Sequence, residues 1–211
     1  MKTRTARLAA LAGVPIVVVA SAAVAAPPAE RRIATAAANT ACWDFSDLPQ
    51  TTEYRIGDTF TAEHADIEFK HYLLNGNKVT NPAALAQATN TQISRSDRPE
   101  LRTCLINAHV EPNAPLRAVT LKFGHTGSAN GPHTNIGVNG ELKEVSGSLT
   151  GLNGQVLGNA ATGRVAIVVN LDDPQADPQT GTMELHAIKG AIEKFTFGGV
   201  QFFVDDVCLK K

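Results

Sequence analysis

The sequence predicts an all-β protein, a two-sheet antiparallel β-sandwich of jelly-roll or Greek-key type with at most one short helix. Three observations predict it. Apolar and polar side chains alternate with a period of two from Cys42 to the C-terminus. Gly- and Asn-rich pairs punctuate those stretches as hairpin turns do. The 3.6-residue period of an amphipathic helix is nearly absent.

The elements follow in order. Ala65 to Lys70 alternates small or apolar residues with charged ones, runs into Tyr72-Leu73-Leu74 and stops at the turn Asn75-Gly76-Asn77. Asn81 to Ala88 is the one candidate helix, with Asn81 as N-cap and Pro82 at the first position, and a loop as the alternative. Leu116 to Phe123 alternates again. Ile136 and Val138 lead into Asn139-Gly140, a tight-hairpin signal, and Glu141 to Val145 returns from it. Val165 to Val169 is an apolar run of the kind found in a buried strand. Thr182 to Ile188 alternates, Lys189-Gly190 makes a turn, Ala191 to Phe197 follows, Gly198-Gly199 makes another turn, and Val200 to Val207 ends the series. About 170 residues suffice for one such core.

The N-terminus is an address. Lys2, Arg4 and Arg7 precede an apolar stretch from Leu8 to Val19, and small residues end in Ala23-Val24-Ala25-Ala26. This is the pattern of a secretory signal peptide over 1–26, cleaved after Ala25 or Ala26. The apolar stretch is short for a membrane span and is interrupted by Gly13 and Pro15. Residues 27–40 are rich in Ala and Thr and read as a linker; 41–211 form the sandwich domain. Removing three of the 19 Lys and Arg with the signal leaves 16 against 20 Asp and Glu. The expectation is a secreted protein, extracellular or periplasmic, with no membrane span after cleavage. A mildly acidic chain is no nucleic-acid binder of the basic-patch kind.

The chain has three cysteines, Cys42, Cys104 and Cys208. Export brings them into an oxidising compartment, where pairing is expected. First and last strands of a sandwich are commonly neighbours, which favours Cys42–Cys208 and leaves Cys104 as a small buried hydrophobe. The alternative has Cys104 pairing with one of the others or with a second molecule.

Two end motifs carry a family resemblance. The start is Cys42-Trp43-Asp44-Phe45-Ser46-Asp47-Leu48-Pro49, continuing through Tyr54 to Phe60. The end is Ile192 to Phe197, Gly198-Gly199, then Val204-Asp205-Asp206-Val207-Cys208. Together they resemble a group of secreted bacterial single-domain β-sandwich proteins of unassigned function, and they are similar to jelly-roll carbohydrate-binding modules. That similarity implies a structural Ca2+ ion held by acids of the first and last strands, here Asp44, Asp205 and Asp206. Ser46 stands where those modules carry Glu. Calcium takes several oxygen ligands, so carboxylates and carbonyls suit it.

The most distinctive loop is Gly124 to His133, with Asn135 just beyond it. His125, Thr126, Asn130, His133 and Asn135 are the candidate ligand-binding residues, since loops on a rigid sandwich commonly carry binding function. Two imidazoles do not complete a zinc set, which takes three or four protein ligands. No Gly-x-Ser-x-Gly elbow is present, and no catalytic residue is assigned. Other histidines, His109 among them, read as surface or packed imidazoles on strands. Trp43 reads as core, and with aromatics at 5% few rings are left as sugar platforms.

The leading functional expectation is an exported non-catalytic binding or surface module, with a glycan or cell-surface component as partner. The alternatives are a secreted hydrolase or lyase with a loop-borne site around His125 and His133, and a structural or adhesive extracellular protein.

Overall fold

The computed structural model describes residues 40–94, 98–126 and 133–211. The predicted signal peptide, the linker up to residue 39 and Asn130 lie outside the described residues.

The elements run β1 (Thr40–Trp43), β2 (Glu53–Tyr54), β3 (Thr59–Ala62), β4 (Ala65–His71), β5 (Leu73–Leu74), β6 (Asn77–Lys78), β7 (Leu85–Thr89), β8 (Glu100–Cys104) and β9 (Ile106–Pro112). They continue with β10 (Ala118–His125), β11 (His133–Val138), β12 (Glu141–Ser146), a single 3-10 turn over Leu149–Leu152, β13 (Val156–Asn159), β14 (Gly163–Leu171), β15 (Gln179–Lys189), β16 (Phe195–Gly199) and β17 (Phe202–Lys210). The strands form two large sheets in which every pairing is antiparallel. The first has the order β13-β14-β15-β10-β17-β8-β7-β2, with β1 also on β17; the second has the order β12-β11-β16-β9-β4-β3. The hairpin β5-β6 stands apart as a two-stranded sheet.

Alternation decides which face each strand buries. On the second sheet Ala65, Ile67 and Phe69 of β4, Ile106, Ala108 and Val110 of β9, and Phe195 and Phe197 of β16 point inward and are buried. They meet Val119, Leu121 and Phe123 of β10, Met183 and Leu185 of β15, and Phe202, Val204, Val207 and Leu209 of β17 in one core. The inward set on β17 changes parity after Val204. The register against β10 shifts there, with Lys122 opposite Asp205 but Thr120 opposite Cys208, and Asp206 takes a left-handed φ of 46°. This is a bulge, one extra residue that turns the strand over.

Strand β17 is central. It pairs with β10 along one edge and shares the other between β8 and β1. That sharing puts Cys42 directly opposite Cys208, and the two form a disulfide across a sequence separation of 166. Cys104 is free and half-buried, more exposed than the buried hydrophobe expected.

Two local expectations are corrected. The candidate helix from Asn81 is a turn followed by a strand. The Asn81 side chain accepts from the Ala83 N–H at 2.8 Å, its carbonyl accepts from Ala84, and β7 then buries Ala86 and Ala88 with period two. The Gly198-Gly199 turn is the end of β16, and the chain reverses at Val200-Gln201. Gly198 is needed for a different reason: a Cβ there would lie 2.3 Å from the Ile106 carbonyl oxygen and 2.4 Å from Asn107 Oδ1.

Candidate functional site

The two sheets differ on their outer faces. On the first, a segment ending at Ser94 is bound to the buried carboxylate of Glu100. That carboxylate accepts from the Thr91 hydroxyl at 2.6 Å, the N–H groups of Ile93 and Ser94 at 2.9 Å each, and the Ser94 hydroxyl at 2.7 Å. Ile93 sits so close over β10 that a Cβ on Gly124 would lie 2.6 Å from its side chain.

The second sheet leaves its outer face open. Two adjoining depressions of about 340 and about 300 Å³ form a groove across β3, β4, β9 and β16, and Glu68 and His109 line both. Register explains the lining. Thr59 pairs with Glu68, Glu68 with His109, His109 with Thr196, and Thr196 with Gly137, one row crossing five strands. The neighbouring rows bring Thr61, Asp66 and Glu111 to one side and Lys70 and Asn107 to the other.

His109 is the best-held of these side chains. Its Nδ1 lies 2.9 Å from the Thr196 hydroxyl and its Nε2 3.3 Å from the Glu111 carboxylate. A carboxylate only accepts, so in the neutral ring Nε2 carries the proton and Nδ1 accepts from Thr196. Burial and then the Lys70 charge hold its pKa below the usual histidine value, against the opposing pull of Glu111. Lys70 is paired with Glu68 at 2.9 Å. The groove therefore presents hydroxyls, a neutral imidazole, an amide, carboxylates and the Lys70 and Lys78 side chains, Lys70 already paired with Glu68, among apolar residues such as Ile56, Leu73 and Leu142.

The sequence-predicted loop residues do not come together. His125 is the last residue of β10 and points into the core, edge-on to Phe202, with its Nε2 3.3 Å from the Thr134 hydroxyl and its Nδ1 without a partner. His133 belongs to the other sheet and points outward, its Nδ1 2.8 Å from the Ser146 hydroxyl. The two imidazoles thus lie in different layers, and the residues between 127 and 132, Asn130 among them, lie outside the described residues. Thr126 bonds to the Gln201 side chain. Asn135 faces outward on β11 yet is fully buried, and neither its Oδ1 nor its Nδ2 has a partner.

The acids proposed for calcium are placed as follows. Asp44 accepts from the Ser46 N–H at 3.0 Å and from Arg98 at 2.5 Å. Hydrogen bonding from Ser46, helped by Arg98, keeps its carboxyl below the usual range. Asp206 pairs with Lys122 at 2.5 Å, and Asp205 is fully buried beside it. Two of the three carboxylates are already neutralised by cations. Among the described residues no group of three or more His, Cys, Asp or Glu is gathered that could hold a metal ion. Trp43 is half-buried against the core, and Tyr54 stacks on Phe69, so neither ring is free as a platform.

The fold and site define a class, a disulfide-closed two-sheet β-sandwich with a groove on one outer face. No family model, no curated protein and no solved structure matches the chain.

Proposed function

We propose that the protein is an exported, non-catalytic binding module that takes a hydroxyl-rich chain, a glycan, in the groove of the six-stranded sheet. The observation that supports this reading is the single cross-strand row Glu68–His109–Thr196 with its polar neighbours. Carboxylates accept from sugar hydroxyls and a neutral imidazole can accept or donate, and a groove crossing four strands suits an extended ligand. The disulfide fits an oxidising compartment. Among the described residues no helix is long and apolar enough to cross a membrane.

A glycan array with the full chain, followed by calorimetry on responding glycans, tests the reading. Binding without turnover is expected, with at least a tenfold loss in Glu68→Gln and in His109→Ala. Binding that both variants retain, or silence across the array, would overturn it. Turnover abolished in His109→Ala would replace the binding module with a hydrolase or lyase centred on His109.

A further inference from the structure

The groove has a side wall, and a carboxylate from the far edge of the sheet holds it in place. After β4 the chain passes through the buried Tyr72 into the hairpin β5-β6, which belongs to neither large sheet. At the hairpin base the Val79 N–H donates to the Tyr72 carbonyl at 2.9 Å. The turn is Asn75-Gly76, with φ of 52° and 74°. Two left-handed residues make a tight hairpin turn, and the two successive N–H groups at its tip point away from the hairpin's own ladder. The Glu144 carboxylate on β12 takes both, accepting from Asn75 at 2.6 Å and from Gly76 at 2.8 Å. Successive N–H groups in such a turn form an anion site, and here the anion comes from 69 and 68 residues along the chain.

Register places the hairpin beside the groove. One row of outward positions runs Lys70–Asn107–Gly198–Asn135–Glu144, from β4 through β9, β16 and β11 to β12. The hairpin leaves β4 next to one end of that row, and its tip is bound at the other end. It therefore lies along the row, and Asn107 and Asn135 are buried there although they face outward. The next row on the same face is Glu68–His109–Thr196–Gly137–Leu142, which runs along the groove. Leu73 and Lys78, paired across the hairpin, line the same space of about 340 Å³ as His109, Thr196 and Leu142.

Resting on the glycan reading above, we infer that the hairpin is part of the binding surface: Leu73 and Lys78 touch the bound sugar chain, and Glu144 is a positioning residue that acts through the hairpin. A sugar ring offers two kinds of surface, and the wall suits both. Leu73 packs on the C–H face of a ring, and the Lys78 ammonium donates to its oxygens. Little else fixes the wall. Each strand of the hairpin has two residues, and its tip is exposed; an isolated hairpin is marginal in water. With Glu144 removed, a sugar chain has to order the wall as it binds, which lowers affinity.

The test uses the full chain with carbon-13 in its leucine methyl groups and nitrogen-15 throughout, titrated with the linear hexamers of glucose, xylose, mannose and N-acetylglucosamine. In the wild type the Leu73 methyl and Lys78 amide signals are expected to move with the same midpoint as those of His109 and Thr196. Glu144→Ala is expected to weaken the responding hexamer by about fivefold or more. It is also expected to speed amide exchange at Asn75 and Gly76 by about tenfold or more, with β9 and β16 unchanged. Saturating hexamer restores protection at the tip of that variant, which a purely structural tie would not show. Glu144→Gln keeps one acceptor oxygen and falls between. Movement at His109 and Thr196 with none at Leu73 or Lys78 would keep the groove and overturn the wall. A faster-exchanging tip with unchanged affinity would leave Glu144 a structural tie and overturn its positioning role. No movement with any hexamer would overturn both readings. Should Glu144→Ala not fold, Lys78→Ala, a change to an exposed side chain, decides with the wild-type titration: a loss of about threefold or more supports the contact, and unchanged affinity overturns it.

Discussion

Acid should unfold this protein through His125, and the size of the effect can be worked out. The imidazole sits fully buried at the end of β10 with one ring nitrogen unpartnered. Burial depresses its pKa from 6.5 to about 4, while the Asp177 charge pulls weakly the other way. A depressed histidine pKa means that the fold prefers the neutral ring. The stability it confers is fully present above the unfolded value of 6.5 and is lost as pH falls toward about 4. One pKa unit corresponds to about 1.4 kcal/mol, so the loss is about 2 kcal/mol by pH 5 and about 3 kcal/mol by pH 4. Urea unfolding at pH 7, 6, 5 and 4 measures it, with His125→Gln and His125→Leu as references that do not titrate there. Carboxylates contribute to all three proteins alike, so the difference between wild type and variant isolates the imidazole. The variants should gain on the wild type by about 3 kcal/mol between pH 7 and pH 4. Parallel stability curves would show that His125 is already charged in the fold or exposed to water, and would refute the placement.

Three further outcomes follow from the packing. Replacing Cys42 and Cys208 together by Ser opens a loop of sequence separation 166 and should cost up to about 5 kcal/mol in urea unfolding, with reductant reproducing the loss in the wild type. Asn139→Ala should cost about 2–4 kcal/mol by the same assay, because its amide bonds the carbonyls of Thr162 and Ala191 and accepts from Glu193 and Lys194 N–H groups. Glu100→Leu should free the Thr91–Ser94 segment, seen as faster amide exchange at Ile93 and Ser94, whose N–H groups it now holds.

Much of the fold was legible because period-two alternation is a local signal. Ala65 to Lys70 reads as a half-buried strand on its own residues, and the structure buries Ala65, Ile67 and Phe69 as that pattern requires. Asn139-Gly140 was legible as a hairpin, since Asn139 takes φ 50° and Gly140 φ 89°. Its second task, tying two other segments to its side chain, was not, because those partners are 23 to 55 residues away. The helix expected from Asn81 failed because a capping Asn and a following Pro begin turns as readily as helices. The groove was illegible for the same physical reason as Asn139. His109 and Thr196 are 87 residues apart, and they meet only because β9 and β16 are neighbours in a sheet whose order no local pattern encodes. His125 and His133 are close in sequence, but one ends β10 of the first sheet and the other begins β11 of the second.

The asymmetry between the two outer faces argues for where function resides. The nine-stranded sheet has part of its outer face covered by a segment anchored on four hydrogen bonds to Glu100, a carboxylate with no exposed surface. That arrangement covers part of the face. The six-stranded sheet does the reverse. Its outer face carries Glu68, Lys70, His109 and Thr196 around open space. Open volume and a cross-strand row of hydrogen-bonding side chains meet on a single face, which is the pattern expected of a surface that receives a ligand.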